Sequence, residues 1–137
     1  MTQDKDQIIE LLREHGINPT PQRVEIAQIM LSAPQHLSAE QVLSQVNDGE
    51  RALVSKATVY NTLGLFANKG LVREVIVDPT RVMYDSNTSS HYHFYNVDTG
   101  ELYDIEPGNM NVNELPDIPD DTEIDGVEVI VRLRNRS

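Results

Sequence analysis

The sequence predicts an α+β chain in which a helical first half ends in a β-hairpin and a shorter, strand-rich half follows. Three observations predict it. Residues 4 to 70 carry apolar residues at helical spacing in four successive stretches. Leu71 to Asp85 then reads as two β-rich runs joined at Asp78-Pro79-Thr80, and Gly126 to Arg134 alternates with period two. Helices followed directly by a hairpin give the order of a winged helix, so the first part is expected to be a winged helix-turn-helix domain.

The first helix, residues 4 to 15, places Ile8, Leu11, Leu12 and His15 on one face and stops at Gly16. The second opens with Thr20-Pro21, a capping residue and a proline at the first helical position, and runs through Val24, Ala27, Met30 and Leu31 to Pro34. Arg23 in its first turn opposes the helix dipole; a phosphate is one candidate partner, a solvated surface position the other reading. Ser38 to Asp48 is a third helix, with a Ser38 to Gln41 capping box and Val42, Leu43 and Val46 facing inward. The connection Gly49 to Val54 contains apolar residues able to dock it.

The fourth helix, Ser55 to Gly70, is the element around which the rest is organised. Ser55 caps it, Val59, Leu63 and Phe66 form one apolar stripe, and Gly70 stops it. Its other side carries Lys56, Ala57, Thr58, Tyr60 and Asn61, a mixture of small, hydroxyl, amide and basic groups that suits a DNA groove. Helices three and four then form a helix-turn-helix whose second member is the reader.

Ser86 to Ser90 has five small polar residues without periodicity and reads as a boundary. The expected organisation is therefore residues 1–85 as the winged-helix domain, 86–90 as linker and 91–137 as a second domain. HYHFYNV and ELYDIEP alternate around Asp98-Thr99-Gly100, a hairpin signal. Residues 107 to 126 are rich in Pro, Asn and Asp, with one short helix expected near Val112 to Leu115. In the last run Val127, Val129, Val131 and Leu133 share one face, and Glu128, Ile130, Arg132 and Arg134 the other. Three short strands make a poor independent domain, so a homodimer that shares this half is expected.

Composition narrows the function. With 137 residues the chain holds one domain or two small ones. No run approaches the roughly 18 apolar residues that span a bilayer, and the polar start MTQDKDQ is no signal peptide, so a soluble, cytoplasmic protein without a membrane partner is expected. There is no cysteine, which excludes disulfides, thiolate zinc sites and cysteine nucleophiles within this chain. The net charge of −11 argues against nucleic acid until its distribution is read. Residues 86 to 137 hold 3 basic and 11 acidic side chains, net −8, whereas 51 to 84 hold 5 basic and 2 acidic, net +3. An acidic remainder repels DNA except through the helix and hairpin, which favours one docking geometry.

His91 and His93 are two apart on a predicted strand, so they leave one face roughly 7 Å apart at the backbone. Alone they are weak evidence for a metal. Asp85 at the end of the first hairpin, Asp104 on the paired strand and His36 before the third helix strengthen it, and nitrogen and carboxylate donors without sulfur suit zinc, manganese or ferrous iron. An ion shared by His36, Asp85, His91, His93 and Asp104 would hold the two halves across their linker. It would then restrict whether two reader helices meet successive major grooves about 34 Å apart.

Thr20-Pro-Gln-Arg23, His36-Leu-Ser-Ala-Glu40, Ala57-Thr-Val-Tyr60 and the order Asp85, His91, His93, Asp104 together resemble the ferric uptake regulator (Fur) superfamily from end to end. Ser90-His-Tyr-His-Phe-Tyr95, the lack of cysteine and the Val127 to Arg134 ending look most like its iron response regulator (Irr) branch. The resemblance implies a winged-helix domain followed by a small α/β dimerisation domain, acting as an iron-responsive transcription factor on double-stranded operator DNA. It implies that the five His and Asp residues form the interdomain regulatory site, and that Arg23, Lys56, Ala57, Thr58, Tyr60, Asn61 and Arg81 lie in DNA-contacting elements. For Tyr60, a ring on a thymine methyl with its hydroxyl on a phosphate stands beside a half-buried structural tyrosine.

Departures from the family pattern are informative. Asn96 and Thr99 stand where many members carry the first Cys-x-x-Cys pair, so no structural tetrathiolate zinc is expected. Ser90 and Tyr92 replace ligands of a further site. The Irr branch is described as haem-responsive, some members using a Cys-Pro motif; here any haem would fall to His91 and His93. The expected function is thus a metal- or haem-switched DNA-binding homodimer. A peroxide sensor that oxidises His36 or His91 is the alternative within the fold. A metal-dependent hydrolase lacks a recognisable acid, base or phosphate loop, and a purely structural winged helix would show no salt-sensitive DNA affinity.

Overall fold

The computed structural model describes residues 4–49, 53–78, 80–89, 92–112 and 114–137. The chain divides into two compact units, Met1–Thr88 and Ser89–Ser137.

In the first unit, α1 (Lys5–Glu14), α2 (Pro21–Met30), α3 (Ala39–Val46) and α4 (Lys56–Asn68) all begin on side-chain caps. Thr20, Ser38 and Ser55 accept from the backbone N–H three residues on, satisfying donors that a helix start leaves orphaned. Asp4 and Gln7 complete a reciprocal capping box on α1 that the sequence reading did not name. Two helices end on glycines in the left-handed region, Gly16 at φ +72° and Gly70 at φ +80°. The following N–H groups bond back across the turn, Ile17 to Leu12 O and Leu71 to Phe66 O, both at 2.9 Å.

Helix α2 packs on α1, α3 and α4. It therefore buries Val24, Ile26, Ala27 and Met30 on more than one side, and a single-stripe reading captured only part of its buried surface. Val59, Leu63 and Phe66 of α4 reach the same core, with Phe66 its largest fully buried side chain. The connection between α3 and α4 is docked by Val54, which is buried, and by Asn47, whose amide donates to Val54 O at 2.9 Å and accepts from Val54 N at 2.7 Å. Leu53 is 75% exposed and takes no part, while residues 50–52 of that connection lie outside the described residues.

β2 (Arg73–Asp78) and β3 (Arg81–Asp85) form the expected hairpin, whose Pro79 lies outside the described residues. A third strand, β1 (His36–Ser38), pairs antiparallel with β3 to give the sheet order β1-β3-β2. The sequence reading placed His36 merely ahead of α3. The pairing gives it a fixed register opposite Asp85.

The second unit is a sheet of order β5-β4-β6, built from β4 (Tyr92–Asn96), β5 (Leu102–Asp104) and β6 (Val129–Leu133). β4 and β5 are the expected antiparallel pair; β6 joins β4 in parallel. The short helix expected near Val112 to Leu115 is not formed at Val112, Glu114 or Leu115; a single 3-10 turn at Pro107–Asn109 precedes them. Pro116 and Pro119 follow closely and remove backbone donors a helix would need. Among the described residues of this unit only His93, Tyr95 and Ile105 are buried, a thin core for a free-standing sheet.

Where cysteines were expected to be missing, hydrogen bonds hold the turn. Asn96 Oδ1 accepts from Asp98 N and Thr99 N at 2.9 and 3.2 Å, and its amide donates to Asn135 Oδ1 at 2.9 Å. Asp98 Oδ2 accepts from Asn135 N at 2.7 Å, so the β4–β5 turn and the segment after β6 are tied without sulfur.

Candidate functional site

Two kinds of site emerge, one on the surface of α4 and one at strand ends. On α4 the exposed positions are Lys56, Ala57, Tyr60, Asn61, Gly64 and Asn68, one face at spacings of one, three and four. Thr58 sits off that face, half-buried, with its hydroxyl accepting from Ser55 Oγ at 2.8 Å as part of the cap. Tyr60 is 37% exposed, so its ring is not a core element. The Lys56 ammonium lies 5.6 Å from the centre of the Tyr60 ring, within cation–π range.

Sequence reasoning missed the partner of that ring. The Tyr60 hydroxyl donates to Glu40 Oε1, a carboxylate in the first turn of α3. That hydrogen bond lowers the Glu40 pKa below the usual carboxylate value and raises the Tyr60 phenol above its own. Ser38, Glu40, Tyr60, Arg81 and Tyr84 line a cavity of about 440 Å³ between the starts of α3 and β3. Burial raises the Tyr84 phenol as well. Arg23, on α2, directs Nη1 to the carbonyl of Asn18 at 2.9 Å, which gives this N-terminal cation a partner within the chain.

Gly64 is unexpected in the middle of α4: a Cβ there would meet nothing within 4 Å, and its φ is not left-handed. The fold does not need glycine at this position, and it lies on the exposed face one turn beyond Tyr60. Gly64→Ala is expected to stabilise the protein by about 1 kcal/mol, the helix-propensity difference, read as a higher urea midpoint at unchanged slope. A midpoint that falls instead would mean that the open space is not there.

At the strand ends of the first unit, His36, Asp85 and Arg73 lie in one row across β1, β3 and β2. Asp85 is 1% exposed. Its Oδ2 stands 3.2 Å from His36 Nε2 and 3.7 Å from Arg73 Nη2, and its Oδ1 accepts from Asn87 N at 2.8 Å. In the second unit, His93 on β4 faces Asp104 on β5 in direct register, with Nε2 3.2 Å from Oδ1. His93 is buried while the Asp104 side chain remains 34% exposed. His91 lies outside the described residues.

Each pair thus offers an imidazole nitrogen and a carboxylate oxygen close enough to touch one ion at bond lengths of ~2.0–2.2 Å. The donors are hard to borderline and contain no sulfur, which fits ferrous, manganous or zinc ions. A cavity of about 250 Å³ in the second unit, lined by Phe94, Asp104, Ile105, Met110 and Val131, is smaller than the ~300–1,000 Å³ of pockets that enclose a drug-sized ligand.

The family model for the ferric uptake regulator family matches residues 14–124. The peroxide operon regulator of Bacillus subtilis (strain 168) is 33% identical over 108 residues, covering 78% of this chain and 74% of that protein. The peroxide-responsive repressor PerR of Staphylococcus aureus (strain Mu50) is 30% identical over 106 residues, 77% of this chain and 71% of that one. Among solved structures, the ferric uptake regulator from Pseudomonas aeruginosa with manganese superposes with a TM-score of 0.68 at 29% identity, covering 93% of this chain and 97% of that chain.

Proposed function

The chain belongs to the ferric uptake regulator family and is a metal-responsive transcription regulator, not an enzyme; from that premise we propose that it binds operator DNA as a cytoplasmic homodimer switched at His36, Asp85, His93 and Asp104. His91 completes the proposed ligand set. The observation that carries the reading is the pair of cross-strand His and Asp contacts, each 3.2 Å, one in each unit. His36, Asp85, His93 and Asp104 would hold a divalent cation between them, which would supply charge to neutralise the carboxylates and a link between the units.

The residues of the chain do the rest. Strand pairing holds each imidazole opposite its carboxylate, and Arg73 balances Asp85 when no cation does. Lys56, Ala57, Tyr60 and Asn61 face the DNA major groove, with Arg81 of the hairpin beside the Glu40–Tyr60 cavity. The homodimer is supported by the second unit's thin core and by Val97, Tyr103, Leu115, Ile118, Ile124 and Leu133, each more than a third exposed. No helix among the described residues is long and apolar enough to cross a membrane.

The preferred physiological signal is iron, on the Irr resemblance, with haem at His91 and His93 as the alternative ligand. Peroxide sensing is the second reading, favoured by the two peroxide regulators among the relatives. One titration separates them. Metal-free dimer is mixed with operator duplex and ferrous, manganous or zinc ion or haem, and DNA capture is followed before and after mild peroxide. Capture by a divalent ion supports the metal switch; a mass gain of one oxygen on His36 or His91 supports peroxide sensing. His93→Ala is expected to weaken metal affinity beyond the ~10–100-fold typical of losing only a ligand's hydrogen-bond partner. If it melts the protein in chelator instead, His93 is a core residue and the site is mistaken.

A further inference from the structure

We infer that Glu40 is a specificity-determining positioning residue: by accepting the Tyr60 hydroxyl hydrogen, it presents to DNA a phenol oxygen that can only accept. The inference rests on the reading of α4 as the DNA-facing helix and adds what that helix reads.

The chemistry follows from counting donors. A phenol has one O–H to give and lone pairs to receive. Here the single hydrogen is directed to Glu40 Oε1. The opposed shifts, Glu40 down and Tyr60 up, keep the proton on the phenol and the charge on the carboxylate. Lys56 and Arg81 face Glu40 and lower its pKa further, so the carboxylate persists within a basic surface.

A phosphate oxygen is itself only an acceptor, so the Tyr60 hydroxyl has nothing to offer it while the Glu40 bond stands. The major-groove groups that can meet an acceptor are the exocyclic amino groups, N6 of adenine and N4 of cytosine. The ring adds an apolar surface fit for a thymine methyl, and an A·T pair carries both the amino group and the methyl. Tyr60 is accordingly a base-reading residue and not a backbone anchor, which replaces the expectation that its hydroxyl reaches a phosphate. A carboxylate in the first turn of α3 also complements that helix's dipole, and a double-mutant cycle separates this from positioning.

The experiment uses the full chain with manganous ion and a randomised duplex library. Sequences are selected separately by the parent and by the Glu40→Ala, Tyr60→Phe and doubly substituted proteins; affinities are then measured on the duplex that the parent enriches. Glu40→Ala, which leaves no acceptor, is expected to weaken that duplex roughly five- to tenfold, about the worth of one hydrogen bond, and to cost almost nothing further in the Tyr60→Phe background. Both single variants should lose the same A·T preference at one position of each half-site. The Tyr60 phenolate titration, taken in each background as the absorbance difference from its Tyr60→Phe counterpart, should move to lower pH in Glu40→Ala.

An equal loss in both backgrounds would mean that Glu40 acts through its own charge and overturns the inference, as would an unchanged base preference. If the parent enriches no sequence while the phenolate titration still moves, the DNA-facing reading has failed and this inference falls with it. If the parent enriches a sequence and the phenolate does not move, only the inference fails.

Discussion

Asp85→Ala is expected to lower the unfolding free energy by about 3 kcal/mol in the presence of chelator, measured by urea denaturation of the full chain at fixed protein concentration. The Asp85 carboxylate is 1% exposed and has His36 Nε2, Arg73 Nη2 and Asn87 N among its polar neighbours. A buried ion is tolerated only while it is paired and hydrogen-bonded. Alanine removes the anion that all three address. Removing one partner of a fully buried pair costs ~3–5 kcal/mol. The lower end applies here, because Arg73 and His36 keep 13% and 14% of their side-chain exposure and recover some hydration. Asp85→Asn preserves the shape and an acceptor for Asn87 N, so it should lose about half as much. Both variants should also lose the metal response. A chelated Asp85→Ala protein that unfolds at the same urea concentration as the parent would show that the carboxylate has no structural role.

That prediction depends on a contact only partly legible in the sequence. Caps and stops were readable because they are local: Thr20, Ser38, Ser55, Gly16 and Gly70 act on groups within five residues of themselves. The apolar stripe of α4 was readable for the same reason. What the sequence does not carry is the register between distant strands. His36 and Asp85 are 49 residues apart, and nothing near His36 announces a three-residue strand; opposition across β1 and β3 arises from tertiary pairing. The parallel joining of β6 to β4 is hidden likewise, since alternation fixes a strand's faces but not its neighbour. Glu40 and Tyr60 both stood in stretches already singled out, yet their hydrogen bond depends on how α3 crosses α4. Residues 107–126 were opaque for a different reason. Their prolines and acidic residues encode no periodicity, and among the described residues they form one short 3-10 turn and a turn at Asp120–Asp121.

Tyr60→Ala and Lys56→Ala are expected to weaken operator binding in two distinguishable ways. Lys56 is an exposed ammonium at the first position of α4, and a phosphate contact from it carries no sequence information. Its loss should therefore weaken operator and unrelated duplex alike and reduce the slope of log affinity against log salt by about 0.9 per contact. Two copies in a dimer double that change. On the proposed reading Tyr60 presents a ring and an oxygen to base edges, so its truncation should cost about 1–3 kcal/mol per half-site, roughly five- to 150-fold, on the operator only. The salt slope should stay where it was. Losing both the ring and the acceptor makes Tyr60→Ala the more damaging substitution on the operator. Neither side chain is buried, so urea midpoints should remain within about 0.5 kcal/mol of the parent and the dimer should persist. Operator binding undiminished in both variants would remove α4 from the DNA interface. A Tyr60→Ala protein that loses affinity equally for unrelated duplex would place that residue on the backbone instead of on a base.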